Sequence, residues 1–190
     1  MKKGLQKFYS LVEAFEMLPA IGKKSALRLA YHVVMNDTYC GIKLAHSIEN
    51  AIGSITRCSQ CHSLSEHEIC EICLDDERNT DLLCLVQNAK DIFTIEESKQ
   101  FNGNYFVLEE LEDHALNQLI RLVQDNNVKE ILFAITPSLA NDAFILFIED
   151  RLSSYNISFT KIAQGVPTGV SLENVDLLSL SKAIQSKVQI

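Results

Sequence analysis

Residues 58–73 read Cys-Ser-Gln-Cys-His-Ser-Leu-Ser-Glu-His-Glu-Ile-Cys-Glu-Ile-Cys, and this stretch decides how the chain is organised. It contains two Cys-x2-Cys pairs separated by eight residues. Two residues between cysteines allow both sulfur atoms of a tight turn to point at one metal ion, and two such turns complete a tetrahedron. The spacing predicts one structural zinc ion, with no coordination position left for water, bound by the thiolates of Cys58, Cys61, Cys70 and Cys73.

The other histidines and cysteines around this stretch are expected to have lesser roles. The segment is short and polar, so metal binding replaces the apolar core that it lacks. His62 and His67 lie between the two pairs and could replace a cysteine as ligands, but we expect them at the surface or as hydrogen-bond donors to the ligands. Cys40 and Cys84 fall outside the pattern and are expected to be ordinary buried apolar residues.

The composition is that of an ordinary globular protein. Hydrophobic residues make up 47% of the 190 residues and charged residues 22%. No apolar run approaches the roughly 20 residues that cross a bilayer. The N-terminus leads directly into an amphipathic pattern without the apolar core of a signal peptide. These features predict a cytosolic protein.

The charge is distributed unevenly along the chain. Its formal net value is -8, which by itself argues against nucleic acid as a partner. Residues 1–57, however, contain eight lysines and arginines against four acids. A basic N-terminal region followed by an acidic remainder is typical of a protein that binds phosphate through one region. An uneven distribution of solvated surface charge gives the same pattern.

The N-terminal region has the periodicity of helices. Apolar residues at positions 5, 8, 12 and 15 predict a helix over 5–18, which Pro19 ends. A second helix is predicted from residue 23 to about 35, and a third over roughly 42–56. The second is expected to bury Ala26, Leu27, Ala30, Val33 and Val34, and the third Ala45, Ile48, Ile52 and Ile55.

The turn between the first two helices is similar to a helix-hairpin-helix motif. In that motif a glycine turn directs the free N–H groups of the second helix at a phosphate, without reading base sequence. Gly22 is expected to supply the turn, although Ala20 stands where the motif has its first glycine. The charge is supplied by the predicted DNA-binding residues Lys23, Lys24 and Arg28. A plain helical hairpin with a solvated basic edge is the alternative.

After residue 81 the pattern changes to alternating strands and helices. Short apolar runs at 82–86, 105–108, 130–135 and 158–163 alternate with helical windows near 89–99, 112–126 and 138–154. This alternation predicts βαβ units and a parallel sheet covered on both faces. Gly165–Gly169 is expected to be a structural turn, and 177–187 a last helix with apolar residues Leu177, Leu178, Leu180, Ala183 and Ile184.

In their order these features resemble the RecR family of recombination mediator proteins, over essentially the whole chain. The matching stretches are Leu18–Ala30, Cys58–Cys73 and Lys161–Leu180, the last of which contains Gly-Val-Pro-Thr-Gly. The resemblance implies an α+β protein of four parts. They are a helix-hairpin-helix DNA-binding region (1–56), a C4-type zinc finger (57–80), an α/β Toprim domain with a parallel sheet (81–167), and a C-terminal tail with an oligomerisation helix (168–190).

The Toprim resemblance also bears on catalysis. Toprim enzymes hold Mg²⁺ with a glutamate after the first strand and an acidic pair after the third, since hard cations prefer oxygen ligands. The matching positions here are Gln87 and the segment Ala140-Asn-Asp142, which leaves one carboxylate. We therefore predict no strand cleavage or rejoining. Glu109, Glu110, Glu112 and Asp113 are expected to form a solvated loop or part of a docking face for a basic partner, rather than a substitute metal site.

The resemblance implies a non-enzymatic adaptor that binds DNA without sequence specificity. Such proteins form ring-shaped homo-oligomers, dimers or tetramers, and act with RecO and RecF to load RecA onto gapped DNA coated by single-strand-binding protein. Converging basic hairpins would combine weak phosphate contacts by avidity. The alternatives are a metal-dependent Toprim nuclease or topoisomerase-like enzyme, and a zinc-ribbon protein-interaction module without nucleic acid.

Overall fold

The computed structural model describes residues 4–163, 165–166 and 168–185. The chain divides into two compact units, Met1–Ile55 and Thr56–Ile190, each with its own apolar core. The boundary falls just before the first cysteine pair. Among the described residues no helix has the length and apolar character needed to span a membrane.

The N-terminal unit consists of three helices, as predicted. Helix α1 (Gln6–Glu16) packs on α2 (Lys23–Tyr31), which runs into a π-helical turn (His32–Asn36) and is followed by α3 (Thr38–Ser54). Val12 of α1 is buried with Ala26 and Ala30 of α2, whose small side chains allow the two helices to approach closely. Helix α3 begins earlier than predicted because Asp37 caps it by accepting a hydrogen bond from the Cys40 N–H over 2.8 Å.

The predicted burial of α3 is wrong for the single chain. The stripe Ala45, Ile48, Ile52 and Ile55 is exposed, with Ile52 79% accessible, and α3 buries none of its residues. Leu27 and Val34 of the preceding segment are exposed as well. The periodicity correctly identifies an apolar face, but in the described part of the chain no element covers that face.

The segment around the cysteines is small and irregular. Strand β1 (Thr56–Arg57) pairs antiparallel with β2 (Leu64–Ser65), and the short helix α4 (Glu71–Leu74) follows. The three fully buried cysteines and the half-buried Cys73 form their own cluster, because apolar side chains are too few here to build a core.

The remaining elements form the predicted parallel sheet. Its strands β3 (Asn79–Val86), β4 (Gly103–Val107), β5 (Glu130–Phe133) and β6 (Ser158–Lys161) lie in the order β4-β3-β5-β6. The connections are helices α5 (Ala89–Ser98), α6 (Asp113–Asp125) and α7 (Leu139–Arg151). A 3-10 turn (Leu172–Asn174) and helix α8 (Leu177–Gln185) follow.

Apolar side chains cover both faces of this sheet. Leu83, Leu85 and Phe106 lie in the larger cluster with residues of α6 and α7. The alternate positions Cys84 and Val86 lie in the smaller cluster on the other face, near α5. This alternation follows from the period of two in a strand, and it explains why the strands read as continuous apolar runs.

Part of the C-terminal prediction lies outside the described residues. Gln164, Pro167 and positions beyond Gln185 belong to that part, so the predicted turn and the end of the last helix are only partly described. Within α8 the side chains of Leu177, Leu178 and Ile184 are exposed.

Candidate zinc centre and nucleic-acid interface

The side chains of the four cysteines in the two Cys-x2-Cys turns lie close together. Their Sγ atoms all lie within 4.8 Å of one another. The Sγ atoms of Cys58 and Cys73 are 3.9 Å apart, and those of Cys61 and Cys70 are 3.5 Å apart. A tetrahedral zinc ion with Zn–S bonds of about 2.3 Å requires S···S separations of about 3.8 Å, so the cluster fits this ion.

The four thiol groups lie close enough to change one another's pKa values. Hydrogen bonds from Cys61 and Cys73 lower the pKa of the Cys70 thiol to about 2. The pKa of Cys61 is raised, mainly by its hydrogen bond to Cys70, and the pKa of Cys73 is raised mainly by its hydrogen bond to Cys61. A dication that binds all four sulfur atoms as thiolates replaces the thiol protons, so metal binding favours the deprotonated form of each cysteine.

The other histidines and cysteines follow the expectations only in part. His67 is exposed, whereas His62 is half-buried and its Nε2 lies 2.8 Å from Oε1 of Gln118. Cys84 is fully buried as predicted. Cys40 is exposed, contrary to the prediction, because it lies in the first turn of α3, a helix without buried residues.

The hairpin between α1 and α2 obtains its turn from an unexpected residue. Ala20 has a φ of 64°, the left-handed conformation that normally favours glycine. Gly22 has an extended backbone and is the N-cap of α2, and a Cβ at this position would meet no atom within 4 Å. The prediction that Gly22 makes the turn is therefore corrected. The position where the motif has its first glycine keeps the glycine-like conformation in spite of its alanine.

The three predicted DNA-binding cations surround the start and outer face of α2. Lys23, Lys24 and Arg28 are all exposed, and within the described residues none of them forms an ion pair. Gly22 provides no side-chain cap, and the first helical hydrogen bond is donated by the N–H of Ala26 to Gly22. The N–H groups of residues 23–25 therefore point outward beside two lysines, an arrangement that suits an anion.

Amides occupy the carboxyl edge of the sheet where Toprim enzymes place acids. Gln87, directly after β3, donates from Nε2 to Oδ1 of Asn141 over 3.0 Å. Asn141 in turn donates from Nδ2 to the carbonyl of Thr136 over 2.7 Å. Asp142 lies 3.9 Å from Nζ of Lys161. The only carboxylate of the matching set thus already faces a cation.

Two charged contacts were not anticipated from the sequence. Arg57 hydrogen-bonds both carboxylate oxygens of Glu109 over 2.9 and 3.0 Å, so this arginine and glutamate neutralise each other. Arg78 binds Glu96 and the carbonyl of Gly103, and Tyr105 donates to Glu96 over 2.6 Å. The partners are 18 to 52 residues apart in the two ion pairs, and no local pattern reveals such pairs.

A basic helical hairpin, a four-cysteine cluster and a parallel α/β unit define a helix-hairpin-helix protein with a four-cysteine zinc finger. Two family profiles match the chain: the RecR helix-hairpin-helix over residues 8–52 and the RecR four-cysteine zinc finger domain over residues 55–75. The second match and the sulfur geometry confirm the zinc cofactor.

Similar proteins extend over the full length. The chain is 56% identical to Recombination protein RecR of a Nitratiruptor species and 54% identical to that of Campylobacter jejuni subsp. jejuni, covering 100% of both chains in each case. It is 46% identical to Recombination protein RecR of Helicobacter pylori, over 99% of this chain and 97% of the other. The chain belongs to the RecR family of recombination proteins, and its role lies in recombinational DNA repair.

Proposed function

We propose that this protein is a non-enzymatic DNA-binding adaptor that acts with RecO and RecF to load RecA onto gapped DNA coated by single-strand-binding protein. The observation that carries the proposal is the group of exposed cations at the start of α2, which form no ion pair with any described residue, in a chain that is acidic overall. Membership of the RecR family supports the choice of partners, and the exposed cations at the start of α2 support the DNA contact.

The DNA contact is made to phosphate rather than to bases. Lys23 and Lys24 lie beside the free N–H groups at the start of α2, and Arg28 follows one turn later. Backbone N–H groups and flexible lysines recognise phosphate oxygens without distinguishing bases. Binding is therefore nonspecific and weakens steeply as salt concentration rises, because each contact releases condensed counterions.

The zinc ligands are Cys58, Cys61, Cys70 and Cys73, whose sulfur atoms lie within 4.8 Å of one another. Four thiolates fill the coordination sphere, so the ion shapes the segment and performs no reaction. Lasting thiolate coordination fits a reducing compartment, and we place the protein in the cytoplasm together with the chromosome.

The protein works as a ring-shaped homo-oligomer in which copies of the basic hairpin act together. Support comes from the uncovered apolar stripe of α3, where Ile48 is 50% and Ile52 79% exposed. An apolar face of this kind on a surface helix marks a protein interface. Assembly multiplies weak phosphate contacts, which explains how an acidic chain holds DNA.

Catalysis is not part of the proposal. At the positions that match the Toprim acids, the chain has the Gln87–Asn141 amide pair and one carboxylate, Asp142, which faces Lys161. A Mg²⁺ ion is usually bound through carboxylates, and two-metal phosphodiester chemistry needs several of them. This edge therefore suits positioning of the adjoining loops rather than strand cleavage.

Fluorescence anisotropy with labelled DNA over a salt series tests the proposal. The variant with Lys23, Lys24 and Arg28 all changed to Glu is expected to bind more weakly. Its slope of log affinity against log salt is expected to be smaller by roughly two to three than that of the unaltered chain.

The matched control reverses three cations of the other unit, Lys90, Lys99 and Arg121, which are also exposed. It introduces the same change of net charge, and its affinity and salt slope are expected to stay close to those of the unaltered chain. Equal losses in both variants would contradict a role for α2 and would favour a general charge effect. No loss in the α2 variant would favour a zinc module that binds proteins only.

A further inference from the structure

The two cysteine turns lie against opposite faces of the outer strand β4. Directly after the first turn, the ring of His62 lies 4.9 Å from the ring of Phe106, which belongs to the cluster shared with α6 and α7. In the second turn, Ile72 packs against the cluster that contains Tyr105 and Val107. Because neighbouring residues of a strand point to opposite faces, the two turns straddle β4.

The backbone of the first turn also continues the hydrogen bonding of the sheet. The N–H of Val107 donates to the carbonyl of Cys61 over 2.8 Å. Strand β4 is the end member of the order β4-β3-β5-β6, so this bond is made at its outer edge. A predicted metal ligand is thus bonded through its own carbonyl to the edge of the sheet, and the exposed edge is partly covered.

His62 is held in an unfavourable backbone conformation by contacts on two sides. Its φ is 62°, a left-handed value that is uncommon for a residue with a side chain. Its N–H donates to the carbonyl of Cys58 over 3.0 Å, inside the cysteine module. Its ring nitrogen Nε2 lies 2.8 Å from Oε1 of Gln118 on α6. One residue therefore links the cysteine turn to the helix that covers the sheet.

We propose that the two turns form a clamp on β4 that is closed when the four thiolates share one zinc ion, and that His62 is the positioning residue that transmits this closure to α6. The finger is then part of the α/β unit and not an independent module. Zinc loading stabilises β4 and α6, which lie outside the finger, more than it stabilises the far side of the sheet.

Hydrogen exchange of the full chain, followed by mass spectrometry, tests the proposal. The decisive variant is His62→Gly, because glycine adopts the left-handed conformation freely and the variant loses only the side-chain contacts. His67→Ala is the matched control, since His67 lies in the same module and is exposed. Zinc content is measured in parallel by release into a colorimetric chelator under reducing conditions.

We expect the His62→Gly protein to keep one zinc ion per chain. Its amides in β4 and α6 are expected to exchange about tenfold faster, while those in β6 and α7 stay unchanged, because a side-chain hydrogen bond and a ring contact are lost. The His67→Ala protein is expected to match the unaltered chain. Unchanged exchange in β4 and α6 of zinc-loaded His62→Gly, or an equal rise across all strands, would overturn the proposal.

Removal of zinc from the unaltered chain provides a second measurement. Exchange is expected to accelerate in the finger, β4 and α6 by a larger factor than in β6 and α7. If only the finger accelerates, the cysteine module is independent of the sheet and the clamp is wrong. DNA binding by α2 does not enter these measurements, so failure of the clamp is distinguishable from failure of the proposed function.

Discussion

The side-chain amide of Gln87 donates to the side-chain oxygen of Asn141 over 3.0 Å, joining the end of β3 to the start of α7. Toprim enzymes, which this part of the chain resembles, have acidic residues at the two matching positions. A neutral pair that satisfies itself has no need of a cation to balance charge. The loops at this edge are thus held by hydrogen bonds where a catalytic relative would hold them by metal.

Restoring acids at this edge is expected to create dependence on Mg²⁺. In the double variant Gln87→Glu and Asn141→Asp, three carboxylates with Asp142 repel one another and lower stability by about 1–2 kcal/mol. Millimolar Mg²⁺ is expected to restore the Tm of this variant and to leave the Tm of the unaltered chain unchanged. A clear Mg²⁺-dependent rise of Tm in the unaltered chain would contradict the account of this edge.

The left-handed residue of the hairpin offers a stabilising substitution. Ala20 has a φ of 64° and an exposed side chain, so Ala20→Gly relieves backbone strain and removes no packing. We expect stability to rise by about 0.5–1 kcal/mol, after the greater freedom of glycine in the unfolded chain is deducted. Urea unfolding followed by far-UV circular dichroism measures the change.

The control for this substitution is Ala30→Gly, in the buried interior of α2, which is expected to lower stability by about 1 kcal/mol or more. If Ala20→Gly is destabilising as well, the turn does not have the conformation described here.

The sequence predicted the elements that depend on local patterns and missed those that depend on distant partners. The Cys-x2-Cys spacing predicted the observed cluster of four cysteines, and the apolar runs predicted the parallel strands, because ligand geometry and strand period are local properties. The prediction that Ile52 and Cys40 are buried was wrong, because burial depends on which element packs against a helix. The pairing of Arg57 with Glu109 was missed for the same reason.

The exposed apolar stripe of α3 is expected to determine the oligomeric state. Changing Ile48 and Ile52 to Glu places two charges on the exposed apolar face and is expected to shift the protein to monomers by desolvation and repulsion. Light scattering after size-exclusion chromatography measures the mass. The control Ser47→Glu and Asn50→Glu adds the same charge elsewhere on α3 and is expected to keep the unaltered mass. Monomers in the unaltered chain would rule out assembly through α3.

The ion pair between Arg78 and Glu96 is expected to contribute to stability in a way that depends on pH. The pKa of Glu96 is lowered, mainly by its hydrogen bond to Arg78, so the folded state binds this proton less readily than the unfolded state. Its stabilising effect is therefore complete above the unfolded value of about 4.3 and is lost as pH falls through the lowered folded pKa. Glu96→Gln is expected to cost about 1–3 kcal/mol at pH 7.

Paired urea unfolding experiments at a series of pH values measure this difference. The cost of Glu96→Gln is expected to shrink as the pH falls through the lowered folded pKa of Glu96, because the unfolded state of the unaltered chain takes up the proton first and the folded state follows. Glu97→Gln, at the exposed neighbouring position, serves as the control and is expected to change little. A cost of Glu96→Gln that is independent of pH would show that packing, and not charge, stabilises this site.

The most direct test of the central claim is the rate at which RecA replaces single-strand-binding protein on gapped DNA in the presence of RecO, followed by RecA-dependent ATP hydrolysis. The unaltered chain is expected to accelerate replacement and to leave the DNA intact, whereas the variant with Lys23, Lys24 and Arg28 changed to Glu is expected to give no acceleration. Cleavage of the DNA, or equal acceleration by both proteins, would contradict an adaptor that acts through the basic start of α2.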